Sequence, residues 1–324
     1  WRQDFMKKIA LSMVAFLVMF SAFFVAISPA AAYPDKPVTV VVPYSPGGAS
    51  DITARLLAEY WKKYTGKEMV VTNVVGAEGA VAARQVLDTK ADGYTVLWYH
   101  QAILGNYYLG VADIKWNDLT PACVVMKTSR VTVTRNSSPW KNLREALDDA
   151  KKNPKKYIYG AGAGGIAYLE YGPLEMDAPG AFRVVPNEGG DAQRIAALLG
   201  NHVDAIPVAL ISVVQYLKSG DIKCLALHDV ESDPFIPDVP TASSQNIKNL
   251  VFPMTNTFFF PKNTSQNIVN DFNGIIAKIV VDPEFKKKLA DMAYTVPFFK
   301  TGKDLEKFWS DQDSVYKEVA KYVK

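Results

Sequence analysis

The chain predicts an α/β fold in two regions, each a mainly parallel sheet flanked by helices, joined by a hinge. Three observations carry that expectation. Strand-like and helix-like segments alternate over most of the 324 residues, the pattern of parallel strands with helices on their faces. Glycine-rich turns recur at strand-to-helix junctions in two separate stretches of the chain. From Asn263 onward the pattern changes to amphipathic helices with few strands between them.

The N-terminus has its own character. Lys7-Lys8 precedes an apolar run from Ile9 to Ile27, and Ser28-Pro29-Ala30-Ala31-Ala32 follows. A short basic region, an apolar core and an Ala-x-Ala ending are the marks of a cleavable secretory signal peptide. The run of about 19 apolar residues could instead span a bilayer as an uncleaved anchor, but the Ala-x-Ala site favours cleavage after Ala32. Residues 1–32 are therefore expected to be a signal segment, with residues 1–5, ahead of Met6, set aside from the fold. Removing 32 residues from 324 leaves 292, enough for one large or two medium domains.

Charge and cysteine content narrow the class. Without the signal segment the chain carries 33 basic and 32 acidic residues, a net of +1. No basic stripe appears, so no nucleic-acid partner is expected, and Lys286-Lys287-Lys288 reads as a solvated helix face. No second apolar run of spanning length follows, and the expected product is a protein of the periplasm. Cys123 and Cys224 each lie in an apolar strand-like run and read as free thiols in the interior. Three scattered His without paired carboxylate or Cys spacing predict no metal site, and no cofactor is expected.

The elements follow in order. Val38–Val42 is a β-branched strand, and Pro43 to Gly48 turns into a helix over Asp51–Tyr64 with Ile52, Leu56, Leu57 and Tyr60 on one face. Met69–Asn73 is a strand, Ala80–Leu87 a helix and Tyr94–Tyr99 a third strand. Val124–Thr134 is extended. Ser138-Pro139 predicts a helix start, with Trp140 to Lys152 as its body. Strands over Tyr157–Tyr159, Phe182–Val185, Val203–Ile206 and Ile222–Leu227 then alternate with helices over Ala167–Met176, Asp191–Leu199 and Ile211–Lys218. Asn263–Val281, Pro283–Met292 and Asp304–Val323 read as helices. Crossings near Thr134–Asn136 and Phe252–Asn256 predict a first domain of residues 33–134 plus 253–324 and a second of 135–252.

A strand that feeds a glycine turn at a helix N-terminus presents unpaired N–H groups and the positive end of a helix dipole. Such a turn binds an anion without a basic side chain. Tyr44-Ser45-Pro46-Gly47-Gly48 is one such turn, and Gly160-Ala161-Gly162-Ala163-Gly164-Gly165 is a second. The second formally spells Gly-x-Gly-x-x-Gly, but it lacks an intact Rossmann half before it, and the expected export argues against a nucleotide.

At this point the residues match a known family. Tyr33-Pro34-Asp35-Lys36-Pro37-Val38, then Val42-Pro43-Tyr44-Ser45-Pro46-Gly47-Gly48-Ala49-Ser50-Asp51-Ile52-Thr53-Ala54-Arg55, resembles the opening of the Bug family, the extracytoplasmic solute receptors of tripartite tricarboxylate transporters. Asn73 to Ala80 resembles that family's Gly-Ala-Gly-Gly loop, and Ala91-Asp92-Gly93-Tyr94-Thr95-Val96-Leu97 its third strand. Asn187-Glu188-Gly189-Gly190, Ala196 to Ala205 and Pro237-Asp238-Val239-Pro240-Thr241 resemble second-domain motifs. The resemblance covers about 290 residues in order.

It implies a two-domain, type II-like periplasmic binding protein that closes on a small organic acid and docks, as a monomer, on the membrane permease subunits of a tripartite transporter. The family's ligands are mostly di- and tricarboxylates, acidic amino acids and aromatic carboxylates. In this picture the turn at Tyr44–Asp51 grips a ligand carboxylate from one side and Gly160–Ile166 from the other. Two departures bear on the ligand. Gly164-Gly165-Ile166-Ala167-Tyr168 lacks the hydroxyl residues and His often found there, and Pro186-Asn187-Glu188 stands where Tyr-Lys is common. Both remove polar or cationic groups, disfavouring a citrate-like polyanion and favouring a less charged or aromatic acid.

The candidate ligand residues are Tyr44, Ser45, Pro46, Gly47, Gly48 and Asp51 at the first turn, with Asp51 chiefly capping the helix and holding the turn in shape. Tyr99, His100 and Gln101 follow the third strand. Gly162, Ala163, Gly164, Gly165 and Tyr168 form the second turn. Asn187, Gly189 and Asp191 sit at a further strand-to-helix junction, and Val208 lies at a strand edge where open α/β sheets bind ligands. No Gly-x-Ser-x-Gly, His-Glu-x-x-His or Cys/His pairing appears, which disfavours an exported hydrolase and leaves no enzyme expected. The sequence does not separate delivery to a permease from signalling to a membrane sensor.

Overall fold

The computed structural model describes residues 1–3, 5–7, 33–162, 165–186, 190–293 and 295–323. Most of the expected signal segment lies outside them. Trp1–Asp35 and Lys36–Lys324 are separate compact units, and every element below belongs to the second. Among the described residues no helix is long and apolar enough to cross a membrane.

The first sheet begins as the sequence suggests. Strand β1 (Val38–Val42) leads into helix α1 (Ala49–Thr65), β2 (Met69–Asn73) into α2 (Ala80–Leu87), and β3 (Thr95–Tyr99) into α3 (Ala102–Tyr108). β1 pairs in parallel with β2 and with β3. Val38, Val40 and Val42 on one face and Val41 on the other are buried, so β1 is covered on both faces, which explains its near-continuous run of Val. α1 ends on Gly66, whose φ of 69° supplies the left-handed C-cap.

The chain then crosses to a second sheet. β4 (Thr120–Thr128) belongs to the first sheet and β5 (Arg130–Arg135) to the second, so one extended run splits at Ser129. The sequence places this crossing near Thr134–Asn136, about five residues later, because β-branched alternation continues through the switch without a turn residue to mark it. α4 (Leu143–Lys152) starts later than Ser138-Pro139 suggests. Its N-cap is Asn142, whose side chain accepts from the Glu145 N–H, while Glu145 accepts from the Lys141 N–H.

The remaining second-half elements are β6 (Ile158–Ala161), α5 (Gly165–Asp177), β7 (Arg183–Pro186), α6 (Asp191–Leu199), β8 (Ala205–Ala209), α7 (Leu210–Ser219) and β9 (Ile222–Leu227). The chain returns through β10 (Met254–Phe260), α8 (Gln266–Val281), α9 (Pro283–Ala293), β11 (Thr295–Lys300) and α10 (Gly302–Val319).

Both sheets are mixed rather than mainly parallel. The first has the order β11-β4-β10-β3-β1-β2, with β10 antiparallel to β3 and β4 and β11 antiparallel to β4. The second has the order β7-β6-β8-β5-β9, with β5 antiparallel to both neighbours. The sequence reading lacks β10 and β11. Met254–Phe260 is buried at every position, so no alternation identifies it as a strand. Cys123 lies on β4 and Cys224 on β9, both as free thiols, Cys123 buried and Cys224 half-buried.

Aromatic packing locks α8 onto the first sheet. The Phe272 ring is fully buried and meets Phe258 and Phe260 of β10 edge-on, at centroid distances of 5.0 and 5.1 Å, and Trp61 of α1 at 5.0 Å. Such geometry adds to plain area burial. Phe272→Ala should therefore cost about 3–5 kcal/mol of unfolding free energy. Urea denaturation followed by circular dichroism reads this directly, and a loss under about 1 kcal/mol would mean that the ring is not part of the core.

Candidate functional site

At the first turn the chain leaves β1 at Val42 and enters α1 after Gly48. Gly47 takes a φ of 82°, open to glycine at little cost, and its N–H donates to Asp51 Oδ2 at 3.0 Å. Asp51 also accepts from Arg55 Nε and from Asn73 Nδ2, each at 3.0 Å, while Asn73 holds the Tyr44 carbonyl at 2.8 Å. Burial pushes the Asp51 carboxyl up, but the bonds from Arg55, Gly47 and Asn73 outweigh it and hold its pKa below the usual range. Asp51 thus ties the turn together from inside and uses up the Gly47 amide. Pro46 and Gly47 are exposed, and Ser45 Oγ accepts from Gln193 of α6 at 2.6 Å.

Three residues end β3, with three different roles. His100 is buried beside Tyr44, rings stacked at 5.2 Å, and its Nδ1 accepts from the Ala102 N–H at 3.2 Å. Burial, with Arg130 nearby, lowers its pKa to about 3, so the ring is neutral at ordinary pH. Gln101 is clamped to β10, donating to Thr255 Oγ1 at 2.7 Å and accepting from the Thr255 N–H at 3.1 Å. Tyr99 is fully buried and donates to the Glu78 carbonyl. Gln101 and Tyr99 are therefore supports.

The bond from Tyr99 exposes a residue the sequence reading missed. The loop between β2 and α2 reads Gly76-Ala77-Glu78-Gly79, with Glu where the resembling family has Gly. Glu78 has a φ of 50°, an uncommon conformation for a side-chain-bearing residue. Its carbonyl accepts from Tyr99 Oη, from Asn106 Nδ2 at 3.1 Å and from Tyr44 Oη at 3.5 Å. Its carboxylate lodges against the second turn. A Cβ built on Gly162 would lie 2.1 Å from Glu78 Oε1, and one on Gly165 3.2 Å from Oε2.

The second half adds the opposing surface. Gly165 opens α5 with a φ of 69°, and Ile166 follows it into the cleft. Tyr168 packs on the apolar core instead. Val208 is fully buried in the core of the second sheet, opposite Val131 on β5, because β8 is an interior strand there; it does not reach the cleft. Ala163, Gly164, Asn187 and Gly189 lie outside the described residues.

Asp191 begins α6. Its Oδ2 accepts from the Ala209 N–H at 3.0 Å and Ser212 Oγ at 2.9 Å, and its Oδ1 from Arg194 Nη2 at 2.8 Å. Arg130, at the start of β5, donates to both oxygens of Glu170 at 2.7 Å, and Glu170 Oε1 also meets His228 Nδ1 at 2.7 Å. Arg130 Nη1 lies 3.9 Å from Asp191, and Arg194 Nη1 lies 3.6 Å from Glu78 Oε1. One chain of buried charged and polar groups therefore runs His228–Glu170–Arg130–Asp191–Arg194–Glu78, from the second half into the first. Burial raises the pKa of Glu170 and Asp191, but the neighbouring guanidinium groups outweigh it and keep both carboxyls below their usual range.

These residues enclose one cleft. It is lined by Tyr44, Gly48, Ala49 and Ser50 from the first turn and α1, by Glu78 and His100, and across from them by Arg130, Ile166, Gly190, Asp191 and Arg194, with Met254. The first turns of α1, α5 and α6 all open onto it, and first-turn N–H groups have no acceptor within their own helix. The space between the halves is about 20 Å³, room for about one water molecule. Glycine makes the close approach possible. A Cβ on Gly105 of α3 would lie 2.7 Å from the Gly165 carbonyl oxygen, and one on Gly190 2.9 Å from the Tyr44 ring.

The picture of paired amide turns without basic side chains is thus incomplete, since two buried guanidinium groups, Arg130 and Arg194, line the cleft. Arg194 was legible in principle. Asp191, Arg194, Ile195 and Leu198 fall at i, i+3, i+4 and i+7, so Arg194 sits on the buried face of α6. Arg130 carried no such signal, because its strand is interior and it reads as a charged residue at a strand end.

Two mixed sheets with helices on their faces, meeting at a cleft lined by helix starts, define a two-domain solute-binding receptor of the periplasmic binding class. The family model for the tripartite tricarboxylate transporter family receptor matches residues 53–323, and the chain belongs to that family. It is 27% identical to a UPF0065 protein of Bordetella pertussis over 284 residues, 86% of this chain and 87% of that protein. Among solved structures, a periplasmic transporter aligns with a TM-score of 0.81 at 28% identity, over 90% of this chain and 97% of its own. The periplasmic binding protein BugD aligns with a TM-score of 0.83 at 25% identity, over 90% and 98%.

The neutral His100 makes acid stability testable. A His whose folded pKa is depressed contributes stability that is fully present above its unfolded pKa of about 6.5 and is lost as pH falls toward its folded value of about 3. Melting temperature should fall between pH 6.5 and 4.5, above most carboxylate titration, and His100→Gln should flatten that slope. An equal slope in both proteins would show that His100 titrates normally. The Arg130–Glu170 pair gives a second test. Glu170→Gln leaves a buried guanidinium undercompensated and should cost about 3–5 kcal/mol at pH 7 in urea denaturation.

Proposed function

We propose that the protein captures a small organic acid in this cleft, closes its two halves over it by a hinge, and delivers it to the membrane permease subunits of a tripartite transporter. The protein works as a monomer outside the cytoplasm, with no chemical step. The two lobes are residues 36–129 with 254–323 and residues 130–253, swinging about Ser129 and the return segment before β10.

The observation that carries this reading is the convergence on one cleft of three helix N-termini and the Arg194 guanidinium. Each favours a carboxylate, and they come from both halves, so a ligand touching all of them binds the closed form better than the open one. Closure then follows from that difference in affinity.

The test uses the close approach at Gly105. Protein unfolded, freed of any carried ligand and refolded is screened by thermal shift against mono- and dicarboxylates, including aromatic acids, and titrated calorimetrically with the acid that stabilises it most. Gly105→Ala puts a methyl group against the Gly165 backbone, holds the halves apart and should weaken that acid at least about tenfold while the circular dichroism spectrum is unchanged. Unaltered affinity would show that closure at this seam is not part of binding.

A further inference from the structure

We propose that the C-terminal end of the chain is a strap that limits how far the two halves part. Its root is built into the first half, and its tip grips α5 of the second at Gly172. This rests on the hinge motion of the proposed function and adds a restraint to it.

The strap is one rod. α10 runs into a 3-10 turn over Ala320–Tyr322 without a break, since the backbones of Val319 and Ala320 stay helical. Near its start the rod belongs to the first half. Leu305 and Trp309 are buried there, Trp309 lies edge-on to Phe259 of β10 at 5.1 Å, and Gln312 accepts from Gln101 Nε2 at 3.3 Å. One turn on, Tyr316 is buried edge-on against Phe252 at 5.9 Å, in the return segment before β10. The rod therefore passes the hinge at Tyr316 and ends beyond it.

α5 is shaped to receive the tip. A Cβ built on Gly172 would lie 2.8 Å from Val323 Cγ1 and 3.7 Å from Val319 Cγ1, so the glycine leaves a notch that the rod fills. Gly172 is helical and not left-handed, so space and not backbone conformation calls for glycine. Pro173 follows inside the same helix. Gly and Pro are the two poorest helix formers, and Pro lacks the N–H that would bond the Leu169 carbonyl. α5 is thus weakest where Val323 meets it. Ala320 is 2% exposed, and Val319 and Val323 pack on the apolar core that holds Leu169, Tyr171 and Leu174 of α5.

The chain itself crosses between the halves at Ser129 and in the return segment, and the rod is a third, non-covalent crossing. Its tip is about 10 Å beyond Tyr316, at 1.5 Å per residue. The halves can therefore part only as far as the contact at Gly172 yields. α5 also faces the cleft: Ile166 lines it, and Glu170, two residues before the notch, grips Arg130. One rigid helix passes the restraint from Gly172 to the ligand site. A narrower opening keeps the closed form populated and raises apparent affinity.

Two variants of the refolded full-length protein test this. Gly172→Ala fills the notch and displaces Val323 while improving the helix propensity of α5. Val319→Ser with Val323→Ser removes the apolar tip and leaves α5 intact, and either variant serves should the other lose its circular dichroism spectrum. Small-angle X-ray scattering should give both a larger radius of gyration than the unaltered protein when ligand-free. The radii should become equal on saturation with the mono- or dicarboxylate that raises the melting temperature most. Calorimetric titration should show that acid weakened at least about fivefold, the lower end of coupling between separate sites.

Equal ligand-free radii in all three proteins would overturn the strap and leave the carboxylate reading standing. A larger radius that persists at saturation would mean local fraying of the C-terminus, and would overturn the strap as well. If no acid binds the unaltered protein, the carboxylate reading fails, and the ligand-free radii alone decide the strap.

Discussion

The fold converges on a chain of buried charged and polar groups that crosses the seam between the two sheets. His228, Glu170, Arg130 and Asp191 belong to the second half, and Arg194 carries the chain across to Glu78 in the first. No link is independent. Asp191 needs both guanidinium groups to remain ionised where it is buried, and Arg130 is aimed at the cleft because Glu170 grips it in a two-pronged bond. Buried charges are costly to leave alone and tolerable when each has a partner, so the network constrains the floor of the cleft to one arrangement.

The seam also depends on what is absent from it. Gly105 and Gly165 let α3 and α5 meet backbone to backbone, and Gly190 lets α6 begin against the Tyr44 ring. Side chains at those positions would keep the helix starts apart, and their N–H groups would no longer face a common point. The glycine turns matter here as much for close approach as for free amides. At the first turn one of those amides, that of Gly47, is already committed to Asp51.

Much of this was legible in the residues. The Val run of β1, the glycines before α1 and α5 and the alternation of strands and helices place the cleft at the C-terminal edges of parallel strands. Asp51 behaves as a turn support, as its place at a helix start implies. What escaped notice did so for physical reasons. β10 is buried throughout and has no alternation to betray it, and β4 runs into β5 with no break in pattern, so the switch of sheets at Ser129 has no local mark. Glu78 and Arg194 are far apart in sequence and acquire meaning only when the halves meet. Gln101, Tyr99 and Val208 illustrate the converse. Each stands at a strand position from which a ligand could be reached, and each is taken up by internal packing or bonding instead.

The central claim is that a ligand carboxylate lies in the seam between the halves, against Arg194 and the first turns of α1 and α6. A crystal structure of the protein saturated with its tightest-binding acid tests it most directly. The account predicts a carboxylate oxygen at about 2.7–2.9 Å from Arg194 Nε or Nη1, with both sheets contributing contacts. A ligand bound elsewhere, or one in this cleft with Arg194 still answered only by Asp191 and Glu78, would contradict it.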